Sequence, residues 1–360
     1  HEVTLLTASG YELGEWRPPA GLRLVTTIAG FTNRNTSKIP PPLLGPVRSL
    51  EAGLDALRVA RFGRRLRPDV IHFHSTNTSA LVYLTRLRRL GIPIVATAHV
   101  VTPHERIRFQ DAIYRRIHQL SHLRIAHSEA DRRRLQEEFD IGPESVAVIP
   151  HGEYGFFDAG PEPSDRDSAR QSLGLSARDK VALFFGYIRE YKGLDVLLDA
   201  WPRVLRELPD ARLVIAGDAG RLPESRRREL LDRASRCGAI CRFEYIPFSD
   251  VARYFRAADV LAMPYRRISQ SGVLYLALSL GVPVVATNVG ALPEVLRDGE
   301  SALLVPPGSP ADLARALQRS LMDDELRRRL AEGGRQVAES HSWPAIAART
   351  EEAFARLVES

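Results

Sequence analysis

Short apolar runs alternate with helix-length amphipathic stretches along almost all of this chain, and that alternation restricts its fold more than any other feature. Candidate strands fall at Val3–Leu6, Leu22–Ile28, Val70–His74, Ile94–Ala98, Leu123–Ala126 and Val146–Ile149. A second series follows at Val181–Phe185, Leu213–Ala216, Phe243–Ile246, Val260–Met263, Val282–Ala286 and Ala302–Val305. Between them lie segments such as Leu50–Phe62, Ala80–Leu90, Val196–Leu208 and Arg226–Ser235. Strands that are apolar on both faces need helices on both sides, so the pattern predicts parallel sheets in an α/β chain. The stretch Ala159–Ser168, rich in Pro, Asp, Ser and Gly, reads as a linker between two α/β halves. Two domains also suit a length of 360 residues. The halves are expected at 1–155 and 165–342, with a final helix at 343–360 returning to the first.

Composition narrows the class. No run approaches the roughly 20 apolar residues of a membrane-spanning helix. Cys237 and Cys241 are the only cysteines, too few for a disulfide framework and without the partners of a zinc site. A cytoplasmic protein fits, with no metal, no cofactor and no nucleic-acid partner expected. The chain opens at His1 on an apolar strand, which suggests that something upstream is missing. Residues 1–150 hold 21 Lys/Arg against 14 Asp/Glu, so the excess of positive charge lies in the first half. Only Lys38, Lys180 and Lys192 are lysines, beside 47 arginines.

Four segments carry chemistry. In FFGYIREYKG, Phe184 to Gly193, a strand ends in Gly186 and a short loop brings Arg189 and Lys192 to the start of a helix at Gly193. Glycine admits a ligand to the backbone, a helix N-terminus favours anions, and two cations can neutralise a diphosphate. An ordinary solvated loop would read the same way. Ahead of the apolar helix Val273–Leu280 stand Ser269, Gln270, Ser271 and Gly272, placing hydroxyls and amides at a helix start. Each serine alone reads as an N-cap; paired with the Gly186–Lys192 loop, the segment reads as a phosphate site. His72 and His74 alternate on one strand, and His99 follows the next strand, where α/β sheets gather ligands. The first two read as hydrogen-bonded core histidines. Finally, Arg58, Arg61, Arg64, Arg65 and Arg67 crowd the end of a helix carrying Leu50, Leu54, Leu57 and Val59, and Arg86, Arg88 and Arg89 follow on another. Such a helix packs on its sheet with a wet basic face, or lies against anionic lipid.

Together the pieces HEVTLLT, PDVIHFHS, GIPIVATAH, RIAHSEADRRRL…VAVIPHG, FFGYIREYKG, ARLVIAGD, AADVLAMPY, LSLGVPVVATNVGALPEV and SALLVPPG resemble, in order, the retaining glycosyltransferases of family 4, also called group 1. The resemblance runs from His1 to about Phe354. It implies the GT-B architecture, two Rossmann-like domains facing a central cleft. It implies a hexosyl transfer from a UDP- or GDP-linked sugar to a glycan or lipid-linked acceptor, with retention and without metal. Carried over by position, Gly186, Arg189, Lys192, Ser271 and Gly272 would hold the donor diphosphate. Ser269 and Gln270 would lie on the donor-sugar side, and His99 would be the catalytic-site histidine beside that sugar. Two departures stand out. Aligned on Gly281, the family's glutamate pair is replaced by Ile268 and Leu276. The family also has a strand, a glycine-rich loop and a helix ahead of HEVTLLT, so the first sheet is expected to lack a strand and the transfer to be slow. A catalytically degenerate binding protein, or a nucleotide-sugar epimerase of the same architecture, is the alternative.

Overall fold

A computed structural model describes residues 1–8, 20–28, 40–74, 80–99, 101, 110–157 and 166–359. They gather into two compact units. One comprises His1–Ala126, Arg132–Val148 and Glu351–Ser360; the other comprises His127–Asp131 and Ile149–Thr350.

The second unit is built on six parallel strands. They are β7 (Lys180–Phe185), β8 (Ala211–Ala216), β9 (Ile240–Arg242), β10 (Val260–Met263), β11 (Val284–Thr287) and β12 (Leu303–Val305). Their order across the sheet is β12-β11-β10-β7-β8-β9. Strand alternation divides the core in two. Val181, Leu183, Phe185, Leu261 and Met263 point to one side, with Val251 and Phe255 of the helix Phe248–Ala257 and Leu274 and Leu278 of the helix Gly272–Ser279. Ala182, Phe184, Val260 and Ala262 point to the other, with Leu197 and the fully buried Trp201 of the helix Leu194–Glu207 and Leu317 of the helix Pro310–Met322. Both faces are covered, which is why these strands read as unbroken apolar runs. Asp259, just before β10, accepts from Val181 N–H at 2.7 Å and pairs with the buried Arg170 at 2.8 Å, fixing the helix Arg166–Ser172 to the sheet. The chain runs outward from β7 to β9, then returns to lay β10 on the other side of β7. This reversal is a switch point, and the loops after β7 and β10 open on it.

The first unit holds a four-stranded parallel sheet, β3 (Ile71–Phe73), β4 (Ile94–Thr97), β5 (Leu123–Ala126) and β6 (Val146–Val148) in that order. Separately, β1 (Val3–Ala8) pairs in parallel with β2 (Leu22–Ile28), with Val3 opposite Leu22. Buried Leu84 and Leu87 of the helix Ala80–Leu87 pack with Val59 and Ile94.

Some elements differ from expectation. The strand expected at Phe243–Ile246 lies at Ile240–Arg242, because the turn at Gly238 brings Ile240 directly opposite Val214. Phe243 still packs on the core, off the ladder, and misleads by its hydrophobicity. The helix expected at Leu50–Phe62 spans Pro41–Leu66; its first proline is preset for a helical start and Pro46 is carried inside. The expected linker at Ala159–Ser168 falls mostly outside the described residues, and Arg166–Ser168 already belong to a helix. A final helix is present as expected, at Trp343–Glu359, and the helices Pro310–Met322 and Asp324–Ser340 precede it.

Candidate functional site

The loop after β7 is shaped by two glycines. Gly193 has φ +68°, and a Cβ there would stand 2.0 Å from the Pro264 carbonyl oxygen after β10. No other residue lets the two loops meet at the switch point. Gly186 has φ +91°, and a Cβ on it would meet Lys192 Nζ at 2.8 Å and Val273 Cγ2 at 3.1 Å. One small residue therefore lies beside both the lysine and the first turn of the helix Gly272–Ser279. The sequence placed Gly186, Lys192 and that helix start in one site, and in this unit they do converge.

Lys192 carries the main electrostatic feature. It is buried, its Nζ donates to the Phe185 carbonyl at 3.4 Å, and it lies 5.5 Å from the centre of the Tyr265 ring. Burial, and then the Arg189 guanidinium, lower its pKa to about 7. Arg189 donates to the Ile188 carbonyl at 2.8 Å and lies over the Tyr187 ring. Among the described residues neither cation is paired with a carboxylate. Two adjacent cations without a counter-charge are costly unless an anion joins them.

The loop is held from behind. Arg266 N–H donates to the Tyr191 carbonyl and its guanidinium to the Glu190 carbonyl, both at 2.7 Å. Arg266 and Arg226 both pair with Asp195, and Arg226 also with Glu190. Glu190 and Asp195 are thus engaged by these two arginines, and among the described residues no carboxylate pairs with Arg189 or Lys192.

Across Gly186, Ser271 caps the helix Gly272–Ser279 through its hydroxyl, which accepts from Leu274 N–H. The first amides of that helix have no intrahelical acceptors and suit an anion. The Tyr154 hydroxyl closes over Gly272, where a Cβ would be 2.9 Å away. In the loop before the helix, the Ser269 hydroxyl and the Gln270 side-chain oxygen Oε1 are buried without a hydrogen-bond partner among the described residues. Such orphaned atoms suit a polar ligand.

His99 lies in the first unit and is described by itself. Its Nε2 approaches His74 Nδ1 at 3.3 Å. His72 bonds the Thr97 hydroxyl at 2.7 Å, and Phe354 meets its ring edge-on. Burial first, then His74 and His99, lower the pKa of His72 to about 3, so it remains neutral. His72 is therefore a satisfied structural histidine, while burial also lowers His74.

Comparison with known proteins bears on this arrangement. The family described as Glycosyl transferases group 1 matches residues 179–323, and Glycosyltransferase Family 4 matches residues 1–152. A D-inositol 3-phosphate glycosyltransferase of Actinosynnema mirum is 32% identical over 353 residues, covering 90% of this chain and 79% of its own. The chain belongs to the group 1, family 4 glycosyltransferases. A second D-inositol 3-phosphate glycosyltransferase, from Segniliparus rotundus, is 28% identical and covers 96% of this chain and 78% of its own. Among solved structures, the sucrose-phosphate synthase of Thermosynechococcus elongatus aligns with a TM-score of 0.75 at 21% identity, over 99% of this chain and 89% of its own. Anabaena HepE in complex with UDP-glucose aligns with a TM-score of 0.73 at 19% identity, over 99% of both chains. These likenesses show the fold, the GT-B type with two Rossmann-like domains.

Within this glycosyltransferase, the positions that replace the family's glutamate pair serve packing. Leu276 is buried, and Ile268 packs partly buried against the same cluster. Tyr265 was missed by the sequence reading, although its place directly after Pro264 at the end of β10 was a usable signal. Its ring lies beneath Lys192, and its own hydroxyl pKa is raised by burial, with Ser271 acting in the opposite sense.

Proposed function

We propose that this glycosyltransferase moves a hexose from a UDP- or GDP-linked donor to a glycan or lipid-linked acceptor, with retention and without a metal ion. The observation that carries the reading is the buried Lys192 beside Arg189, neither paired with a carboxylate among the described residues, on a loop whose Gly186 also meets Val273 at the start of the helix that Ser271 caps. In the proposed step the bond from the anomeric carbon to the diphosphate oxygen breaks while the acceptor oxygen bonds to that carbon on the same face. The acceptor's proton goes to the leaving phosphate. Such a step needs positive charge fixed on the leaving group more than it needs a strong protein base. Arg189, Lys192 and the amides from Ser271 and Gly272 supply that charge, with Gly186 giving room for the diphosphate. Ser269 and Gln270 offer the buried oxygens toward the donor sugar.

The family resemblance assigns His99 to the donor sugar, and His99→Ala should then lower turnover while nucleotide affinity is unchanged. The D-inositol 3-phosphate relatives make phosphorylated polyols the first acceptors to try beside glycans and lipid carriers. The test is incubation with UDP- and GDP-sugars in excess chelator, with the product anomer read by NMR. Release of nucleoside diphosphate with an axial-to-axial product supports the reading. Tight nucleotide binding with no transfer to any acceptor would instead favour a binding protein, which the packing role of Ile268 and Leu276 also suits.

A further inference from the structure

Two short pieces of chain, far apart in sequence, lie against each other residue by residue at the switch point. Gly193 makes room for the Pro264 carbonyl oxygen, which would stand 2.0 Å from a Cβ there. The Lys192 ammonium lies 5.5 Å from the centre of the Tyr265 ring. Arg266 N–H donates to the Tyr191 carbonyl at 2.7 Å. One piece thus runs Tyr191, Lys192, Gly193 while the other runs Arg266, Tyr265, Pro264, and Tyr265 is the middle partner, opposite Lys192. The Arg266 guanidinium fixes the same pairing through the Glu190 carbonyl and Asp195, both at 2.7 Å.

Tyr265 has little freedom. It is 1% exposed, its carbonyl accepts from the Thr287 hydroxyl at 2.5 Å, and the Tyr191 ring meets its ring edge-on at 6.3 Å. Lys192 is held less firmly. Its bond to the Phe185 carbonyl, at 3.4 Å, is longer than the usual range of about 2.7–3.2 Å. A buried ammonium is costly unless something compensates its charge. Arg189, on the same loop, repels it, and Glu190 and Asp195 are engaged by Arg226 and Arg266. The helix Gly272–Ser279 brings Val273, without charge, beside Gly186, and burial keeps the Tyr265 hydroxyl neutral. The face of the Tyr265 ring is the remaining attraction, since an aromatic face draws a cation lying within about 6 Å of its centre.

We propose that Tyr265 is a positioning residue, whose ring holds the Lys192 ammonium charged and in place for an anion and acts on the ligand through that lysine alone. The effect on nucleotide binding rests on the reading of Lys192 as a diphosphate ligand. The contact between ring and ammonium is present without a ligand, so the two readings can fail separately.

The experiment compares the parent with Tyr265→Leu, which removes the ring, and Tyr265→Phe, which keeps the ring and removes the hydroxyl. In the free proteins, selective 13C labelling of lysine gives signals from three residues, and Lys192→Met identifies the one that matters. Its titration midpoint in Tyr265→Leu should fall about one pH unit below that of the parent, the worth of an aromatic contact to a desolvated cation. Tyr265→Phe should titrate like the parent. UDP affinity, measured by calorimetry, should then be about tenfold weaker than the parent's in Tyr265→Leu at pH 8 and within about twofold of it at pH 5.5, where the amine is protonated in both. Added to Lys192→Met, Tyr265→Leu should cause no further loss. Circular dichroism and urea unfolding verify the fold, and the nearly isosteric Tyr265→Phe keeps the comparison decisive if the leucine variant does not fold. An unchanged midpoint in Tyr265→Leu would overturn the proposal. So would a loss of affinity equal at every pH, which is what general support of the loop would give, or a shifted midpoint in Tyr265→Phe. If Lys192→Met bound UDP as tightly as the parent, the diphosphate reading would fall, while the titration midpoints would still decide whether Tyr265 holds the amine.

Discussion

Lys192 concentrates the account at the scale of a single side chain. With its pKa lowered to about 7 by burial and by Arg189, it is largely neutral in alkaline solution when no ligand is present. A diphosphate bound here, as proposed, would supply the missing negative charge and return the amine to its protonated form. The sign follows directly. Below about pH 7 the lysine is already charged and affinity should be flat. Above it, each binding event must take up a proton, so affinity should fall as pH rises, by up to tenfold per unit. Calorimetry at pH 8 in buffers of different ionisation enthalpy should show uptake of close to one proton per nucleotide in the parent, and almost none in Lys192→Met. Proton release on binding would contradict the assignment of the buried cation to the phosphate.

Loops and strands explain how the side chains come together. Gly193 is the residue on which the loop after β7 depends, since both its φ of +68° and the Pro264 oxygen at 2.0 Å forbid a side chain. Gly193→Ala should cost more than about 3 kcal/mol of stability. Gly174→Ala, at a similar φ but with nothing within 4 Å, should cost only about 1 kcal/mol. Urea unfolding of the two variants separates close approach from backbone strain; equal losses would mean the contact with Pro264 yields easily. Much at this scale was legible beforehand. The apolar strands β7, β8 and β10 announce themselves because both faces are buried, and Gly186, Arg189, Lys192 and Gly193 stand in a row along the chain. What could not be read is contact between segments far apart in sequence. That Tyr265 lies under Lys192, that Arg266 holds the Glu190 and Tyr191 carbonyls, and that Tyr154 covers Gly272 all depend on which loops meet at the switch point. For the helix Pro41–Leu66 the pattern gave the leucines and arginines but not which side packs: Ala52, Ala56 and Val59 are buried, while Leu50 and Leu54 are exposed.

Across the whole molecule, the two units differ in how well they bury their strands. The second has apolar clusters on both faces of one six-stranded sheet. Among the described residues the first divides its strands between a pair and a set of four, and Val3 and Leu5 of β1 are 52% and 44% exposed. Native-state hydrogen exchange should therefore show the β1–β2 amides exchanging far faster than those of β7, β8 and β10. Adding UDP or GDP should slow exchange in the second unit around Gly186–Gly193 and Ser271–Val273. Protection confined to the first unit would place the nucleotide elsewhere.

The most direct test of the central claim, that Arg189 and Lys192 form the diphosphate site, is titration of UDP and GDP into the parent, Arg189→Ala and Lys192→Ala at pH 7 and low salt. Each substitution should weaken binding by roughly 1.5–3 kcal/mol, the worth of a charge-assisted hydrogen bond, with far-ultraviolet circular dichroism unchanged. Parent-like affinity in both folded variants would contradict the account.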